Sequence, residues 1–436
     1  MFRVFKTAWQ TPELRKKILF TLMLMVIFRI GSAITVPFLD IDAVRSWVDS
    51  NATDGNFLEY MNVITGGALS NATLLSLSIT PYINASIIMQ LLTYALPPLE
   101  ALQKEGETGR QTLNRITMVV SMVLSAFMSY AYYLTLRNKM GAVEYTTGFA
   151  GWFTGAVIVL CFMAGAATVV WFGNRVTEKG VGNGVSIMLF TGIVARYPVE
   201  VGVLWDKFVN DKAHFLWLMP AVALIFISMV GLVVLFNQAE RRIPIQYAKR
   251  VVGNKQYGGQ STHMPIKVIG SGVMPIIFAM SFMALPTSIQ MFAGPPDPTN
   301  HNFYYWFSWA FSMQNWPYAI MYMLLIVAFN YFYVSMQYNP VEIANRLRQN
   351  NGAVPGIRSG KPTEIFIRRV LSKLTLVGAI FLGFIAIFPI FFSKIDGLES
   401  IYMGGTSLLI VVNVALMTAR TLESQMMMRH HKGFLE

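Results

Sequence analysis

Ten apolar segments punctuate the chain, at about 18–37, 74–96, 116–136, 152–172, 183–197, 215–236, 269–292, 316–336, 374–392 and 401–419. Most hold roughly 20 residues, the length at which a helix crosses a bilayer core. The pattern predicts an all-α bundle of ten membrane-spanning helices. Two segments depart from it. The fifth is short and opens with Gly182-Asn183-Gly184. The second carries Thr80-Pro81 and Asn84, and the stretch before it, "GGALSNATLLSLS", is too polar to span and too apolar for an ordinary loop. The first segment, behind Arg15, Lys16 and Lys17, imitates a signal peptide. A signal core runs to about 7–15 residues, whereas Ile18 to Val36 is longer and no A-x-A site follows it. It reads as a retained span.

Dividing the segments five and five exposes an internal correspondence. The second members read "SITPYINASI" and "GVMPIIFAMS", each with a proline early in an apolar run. The fifth members read "GNGVSIML" and "GGTSLLI", each with glycines, a small hydroxyl residue and then aliphatics. Five spans per half require the second half, 206–436, to be inverted relative to the first, 1–205. Inverted repeats place a pathway at their interface, built from broken helices near the bilayer midplane.

Composition agrees with this class. Of 436 residues, 54% are hydrophobic and 13% charged, against about 25% charged in a soluble domain, and the mean hydropathy is +0.49. The net charge of +12 is unevenly spread. With the N-terminus inside, the inner segments hold 26 Lys and Arg and the outer loops 7, counting Arg196 at the outer end of the fifth segment. That bias sets both termini in the cytoplasm. The two largest inner loops, 237–268 and 337–373, are also the most basic.

Catalytic and transport chemistry is hard to assemble here. Arg29 stands alone as a charge in the middle of a segment, and no Asp, Glu, Lys or His falls within any of the ten. Proton-coupled pumps use such groups as relays, and intramembrane metalloproteases need them as ligands. The single cysteine, Cys161, excludes a disulfide framework and any CxxC metal site. "GIRSGKPT" has too few residues between its glycines for a P-loop, and proline follows its lysine. These features predict a protein that is not an enzyme and uses no cofactor or metal. A Na⁺ site of carbonyls and hydroxyls stays open, so a secondary transporter of small solutes is the alternative. Arg29 costs roughly 2.5–3.5 kcal/mol at a helix centre and is expected to face carbonyls or polar groups of the protein.

Seven stretches, in order and spread over nearly the whole chain, resemble the SecY family of protein-conducting channel subunits. They are "GGALSNATLLSLSITPYINASIIMQLL", "KEGETGR", "VTEKGVGNGVSIMLFTGIVAR", "QAERRIPIQYAKR", "STHMPIKV" with "GVMPIIFA", "GAVPGIRSGKPT" and "GGTSLLIVV". The resemblance implies two inverted five-helix halves around an hourglass pore with a lateral gate, in the bacterial inner membrane. Its six-residue aliphatic pore ring falls on Ile79, Ile83, Val185, Leu189, Ile277 and Ile410. An aliphatic constriction shuts by dewetting and grips no passing chain. The implied plug, a short re-entrant helix, covers about 62–73, including Gly66, Gly67, Ala68, Leu69, Ser70 and Asn71.

The second and seventh segments correspond to the lateral gate, where Asn84 and Gln90 are the polar candidates for holding it shut. The basic loops correspond to the docking surface for the motor ATPase SecA or the ribosome, through Arg241, Arg242, Lys249, Arg250 and Arg358. Arginine suits rRNA phosphates and acidic protein surfaces alike. Implied partners are SecE-like and SecG-like small membrane subunits, signal sequences and nascent chains, and anionic lipids. Within the first basic loop, Ile243, Ile245 and Tyr247 alternate, which predicts a strand of a projecting hairpin.

Overall fold

Helices form wherever the apolar segments fall. In chain order these are α1 (Pro12–Gly31), a short α2 (Ile41–Asn51), α3 (Thr80–Ala95), α4 (Pro97–Lys104), α5 (Glu107–Asn138), α6 (Gly148–Lys179), α7 (Gly184–Asn210) and α8 (Lys212–Gln238). After four strands come α9 (Met274–Ala293), α10 (Phe303–Ala310), α11 (Trp316–Gln337), α12 (Pro340–Gln349), α13 (Lys361–Phe392) and α14 (Gly405–His430). The computed structural model describes residues 9–51, 65–138, 140–210, 212–247, 250–252, 255–257, 261–293, 302–311, 315–392 and 405–430.

Among the described residues, seven helical stretches are long and apolar enough to cross a membrane, and α3 with α4 would make an eighth. That pair bends by 100° where Pro97 and Pro98 follow Leu96, because proline cannot continue the hydrogen-bond ladder. The other two expected spans fall outside this measure. Helix α1 carries Arg15, Lys16, Lys17 and Arg29, and α9 contributes the shorter apolar stretch Met274–Met283. The class is the one expected, a multi-pass helical membrane protein.

The packing of the two halves runs in parallel. In the first, α3 lies on α5, α5 on α6 and α6 on α7; in the second, α9 lies on α11, α11 on α13 and α13 on α14. Helix α1 packs on α7 as α8 packs on α14. The second members also begin alike. Turns over 65–79 precede α3 and turns over 268–273 precede α9, and each helix has proline at its second residue. One large hydrophobic core, including Phe28, Ile79, Met188, Ile276 and Leu382, crosses both halves.

Two expectations fail in this frame. The fifth segment does not end at Tyr197. Helix α7 continues through Pro198 to Asn210, past the division placed at 205, since a proline inside a membrane helix is tolerated when neighbours satisfy the freed carbonyl. Arg196 and Glu200 therefore lie in mid-helix, and Glu200 is buried at 6% exposure. A carboxylate does sit within the bundle, with Arg196 Nε 4.0 Å away. The second failure is local: residues 65–73 form successive turns, not a re-entrant helix. Gly66, Gly67 and Ala72 all have positive φ, at 69°, 85° and 43°, which interrupts a right-handed helix. Residues 62–64 of the expected plug lie outside the described residues.

The basic loops make a separate small body. Strand β1 (Glu240–Tyr247) is followed by β2 (Arg250–Val252), β3 (Lys255–Tyr257) and β4 (Ser261–Lys267), and β5 (Gly352–Ala353) follows α12. The alternation in the sequence holds: Ile243 and Ile245 are buried at 2% and 4%. Strand β1 pairs antiparallel with β4, setting Ile243 opposite Met264. Its other edge takes β5, with Gln246 opposite Ala353. Ile243, Ile245, Ile266, Leu347, Val354, Ile367 and Leu371 form its core. Both basic loops thus belong to one sheet.

Candidate functional site

The six ring candidates come from four helices and meet in one hydrophobic cluster. Ile79, Leu189 and Ile410 are buried members of it, and Ile83, Val185 and Ile277 pack against it half-buried. Each stands at or near the start of a helix: Ile79 at the N-cap of α3 and Ile83 in its first turn, Val185 and Leu189 on α7, Ile277 on α9 and Ile410 on α14. The Ile83 amide donates to the Ile79 carbonyl at 3.1 Å, fixing that pair on one face. Gly173 of α6 borders these side chains: a Cβ added there would stand at ordinary van der Waals distance, 3.5 Å from Val185 Cγ2 and 3.6 Å from Ile79 Cδ1. The cluster is wide, so membership alone does not single out these six.

Beside this cluster lies the segment 65–79, non-helical backbone that must satisfy its polar groups without bulk water. It does so with side chains from all around. Arg29 Nη1 donates to the Gly66 carbonyl at 3.0 Å, and Tyr132 Oη to the Leu69 carbonyl at 2.7 Å. Ser76 Oγ donates to the Ala68 carbonyl at 2.9 Å, and Asn71 Nδ2 to that of Gly67 at 2.9 Å. Arg45 Nε donates to Asn71 Oδ1 at 2.9 Å. The backbone also pairs with the chain after α1: Leu74 N donates to the Ile34 carbonyl, and Val36 N to that of Ala72. Arg29 thus meets a carbonyl, as expected of it.

Gly66 is required twice over. Its φ of 69° suits glycine, and a Cβ there would stand 2.7 Å from the Gly192 carbonyl oxygen. Next to it, a Cβ on Gly67 would be 3.6 Å from Arg196 Nη1. Three arginines, Arg29, Arg45 and Arg196, therefore face this turn segment, of which the sequence marked Arg29. Arg196 was hidden at the end of a segment cut short at Pro198. Nothing in the sequence marked Tyr132, because a tyrosine inside an apolar run is ordinary.

Between α3 and α9, Ser281 Oγ donates to Asn84 Oδ1 at 3.1 Å. Gln90 turns the other way and donates to Ser86 Oγ of its own helix at 3.3 Å. Only Asn84 of the two polar candidates reaches across. A further polar junction, unread in the sequence, secures the second half. Asn330 of α11 accepts from Ser271 and donates to the Thr375 carbonyl of α13 at 2.9 Å, pinning the turn that precedes α9.

On the basic body, Arg241 and Arg242 are exposed at the start of β1, with Arg242 Nε 2.8 Å from Glu240. Arg250 opens β2, and Lys249 lies outside the described residues. Arg358 is exposed in the loop from β5 to α13, between Gly356 and Gly360 at φ 79° and 99°. At the base of the hairpin, burial and then the Arg420 charge hold the Lys267 ammonium below the ordinary lysine range, against the pull of Glu240. Positive charge is concentrated on this body and at its root.

Among the described residues, no group of His, Cys, Asp or Glu is arranged to hold a metal ion. The SecY family model matches residues 73–419. A protein translocase subunit SecY from Streptomyces coelicolor is 38% identical over 448 residues, covering all of both chains. Among solved structures, a SecY channel whose plug domain is described as stabilising the closed state and maintaining a membrane seal superposes with a TM-score of 0.62. It has 19% identity and covers 94% of this chain and 92% of its own. Sec61 from the canine ribosome–channel complex of the endoplasmic reticulum gives 0.58 at 16% identity, with the same coverage. The two structures establish a shared fold, and the family model and the full-length relative establish descent: this chain belongs to the SecY family.

Proposed function

We propose that this protein is a protein-conducting channel, which passes unfolded secretory polypeptides across the bacterial plasma membrane and releases membrane segments sideways. The observation that carries the reading is the meeting of six aliphatic side chains from both halves, beside a turn segment held by reversible hydrogen bonds. Such a pore has no binding chemistry to stall a passing chain and no catalytic group of its own. Work comes from outside, from a motor ATPase or from the translating ribosome. The two halves act as inverted repeats, with both termini and the basic body in the cytoplasm. SecE-like and SecG-like subunits and anionic lipids complete the assembly. The ribosome reading is supported by the canine relative, solved on a ribosome.

A stalled precursor tests the path. Cysteine replaces Val185 or Ile277 in a Cys161→Ala background, and a precursor with one cysteine is arrested in mid-transit. Crosslinks form at both ring positions and not at Leu224→Cys, which faces outward at 70% exposure. Equal crosslinking at Leu224 removes the ring from the path.

The segment 65–73 acts as the plug, with Arg29 as its latch. Losing one hydrogen bond from a charged group costs about 1.5–3 kcal/mol. Arg29→Leu is therefore expected to displace the plug and raise ion leakage through idle channels roughly tenfold or more, read in planar bilayers. Leakage at the parent level assigns Arg29 to folding alone. The gate follows similar arithmetic on a smaller scale. An interhelical hydrogen bond in a membrane averages about 0.6 kcal/mol, so Asn84→Ala should favour the open gate about threefold. Precursors with weakened signal sequences would then cross about three times more efficiently, while Gln90→Ala leaves them unchanged.

A further inference from the structure

Helix α10 does not look like a connector. It reads Phe-Tyr-Tyr-Trp-Phe-Ser-Trp-Ala with Phe311 next, and no Lys or Arg occurs between Ala293 and Trp316. A helix at a water-facing surface turns its polar side outward. Here the outward stripe is Phe303, Trp306 and Trp309, at 86%, 56% and 43% exposure. Their spacing of three keeps them near one face. Phe303 stacks on Phe307, Phe307 lies against Phe311, and Trp306 meets Trp309 edge-on, so the rings brace one another along the helix. The stripe continues to Trp316 at the first turn of α11, 61% exposed.

The position of the helix fixes what can cover this face. It joins the ends of α9 and α11 that lie opposite the basic body, so it runs where two apolar helices leave the membrane. Indole and phenol rings, apolar in body with a polar tip, concentrate at the boundary between headgroups and acyl chains. An interfacial helix usually pairs its apolar side with a basic one. With no cation here, anionic headgroups are not the attraction. We propose that α10 lies in the membrane interface on the side opposite the basic loops, its Phe303–Trp306–Trp309 face seated among lipid glycerol and upper acyl groups. It anchors the end of α9 to the lipid surface. The lipid contact does not depend on α9 serving as a gate helix.

The test uses the full chain in phosphatidylethanolamine–phosphatidylglycerol vesicles. Phe303→Cys in a Cys161→Ala background carries an environment-sensitive fluorophore, and Ser308→Cys gives a second position on the same helix. Nitroxide lipids labelled near the headgroup should remove most of the Phe303-site emission. Nitroxides at the chain ends and aqueous iodide should each remove little, and vesicles without phosphatidylglycerol should give the same result. Quenching by iodide and not by lipid would place the helix in water and overturn the proposal. Quenching by neither at both positions would mean a protein partner covers the face, and would overturn it equally.

Discussion

Idle channels carrying Ile410→Asn leak ions about 5- to 150-fold faster than the parent. The range follows from the cost of a buried amide without a partner, about 1–3 kcal/mol, converted at tenfold per 1.4 kcal/mol. Ile410 is buried at 4% exposure in the cluster where the two halves meet. Asparagine there weakens the closed state and also wets a constriction that shuts by excluding water. Bilayer recordings at fixed voltage read the effect. Ile410→Val, which keeps the aliphatic character, stays within a few-fold of the parent. Asparagine at the outward-facing Leu224 changes nothing. Equal leakage from Ile410→Asn and the parent would take Ile410 out of the ring.

Charge reversal at Arg358 is expected to stop motor-driven translocation while the protein still inserts and folds. The fold uses this residue through its backbone: the Arg358 carbonyl accepts from Thr363 Oγ1 at 2.8 Å, and the side chain is exposed. Removing one member of a charge pair in an interface costs about 2–5 kcal/mol, so Arg358→Glu weakens motor docking by roughly 30-fold or more. Because β5 ties this loop to the hairpin, Arg241→Glu with Arg242→Glu should act on the same partner and not on an independent one. Protease protection of a precursor, with motor titrated, measures both. A variant that docks the motor normally and translocates at full rate returns these arginines to setting topology.

What the sequence made legible was periodicity and the placing of breaks. The alternation of Ile243 and Ile245 announced β1, and Thr80-Pro81 marked the irregularity in the second segment where α3 begins. What it hid were contacts between distant residues. That Gly352 and Ala353 would complete the sheet of β1 depends on chain separation no local pattern records. Pro198 read as a terminus because its local preference is to end a helix, whereas packing around α7 overrides that preference. The cost was Glu200, a buried carboxylate placed outside the membrane by that reading. The turn segment 65–79 misled in the opposite way. The family suggested a helix there, but Gly66, Gly67 and Ala72 at positive φ, together with donors from Arg29, Tyr132 and Ser76, favour turns. The ring candidates came from motifs beside them, and their meeting in one cluster is information only the fold holds.

One reconstitution tests the central claim most directly. The chain, with its small membrane subunits, is placed in lipid vesicles and given motor ATPase, ATP and a precursor bearing a signal sequence. The account predicts ATP-dependent protection of the full-length precursor from added protease, with protection lost when a tightly folded domain is fused to its end. No protection in the parent, alongside ion-driven uptake of a small solute, would contradict it and leave the chain a transporter.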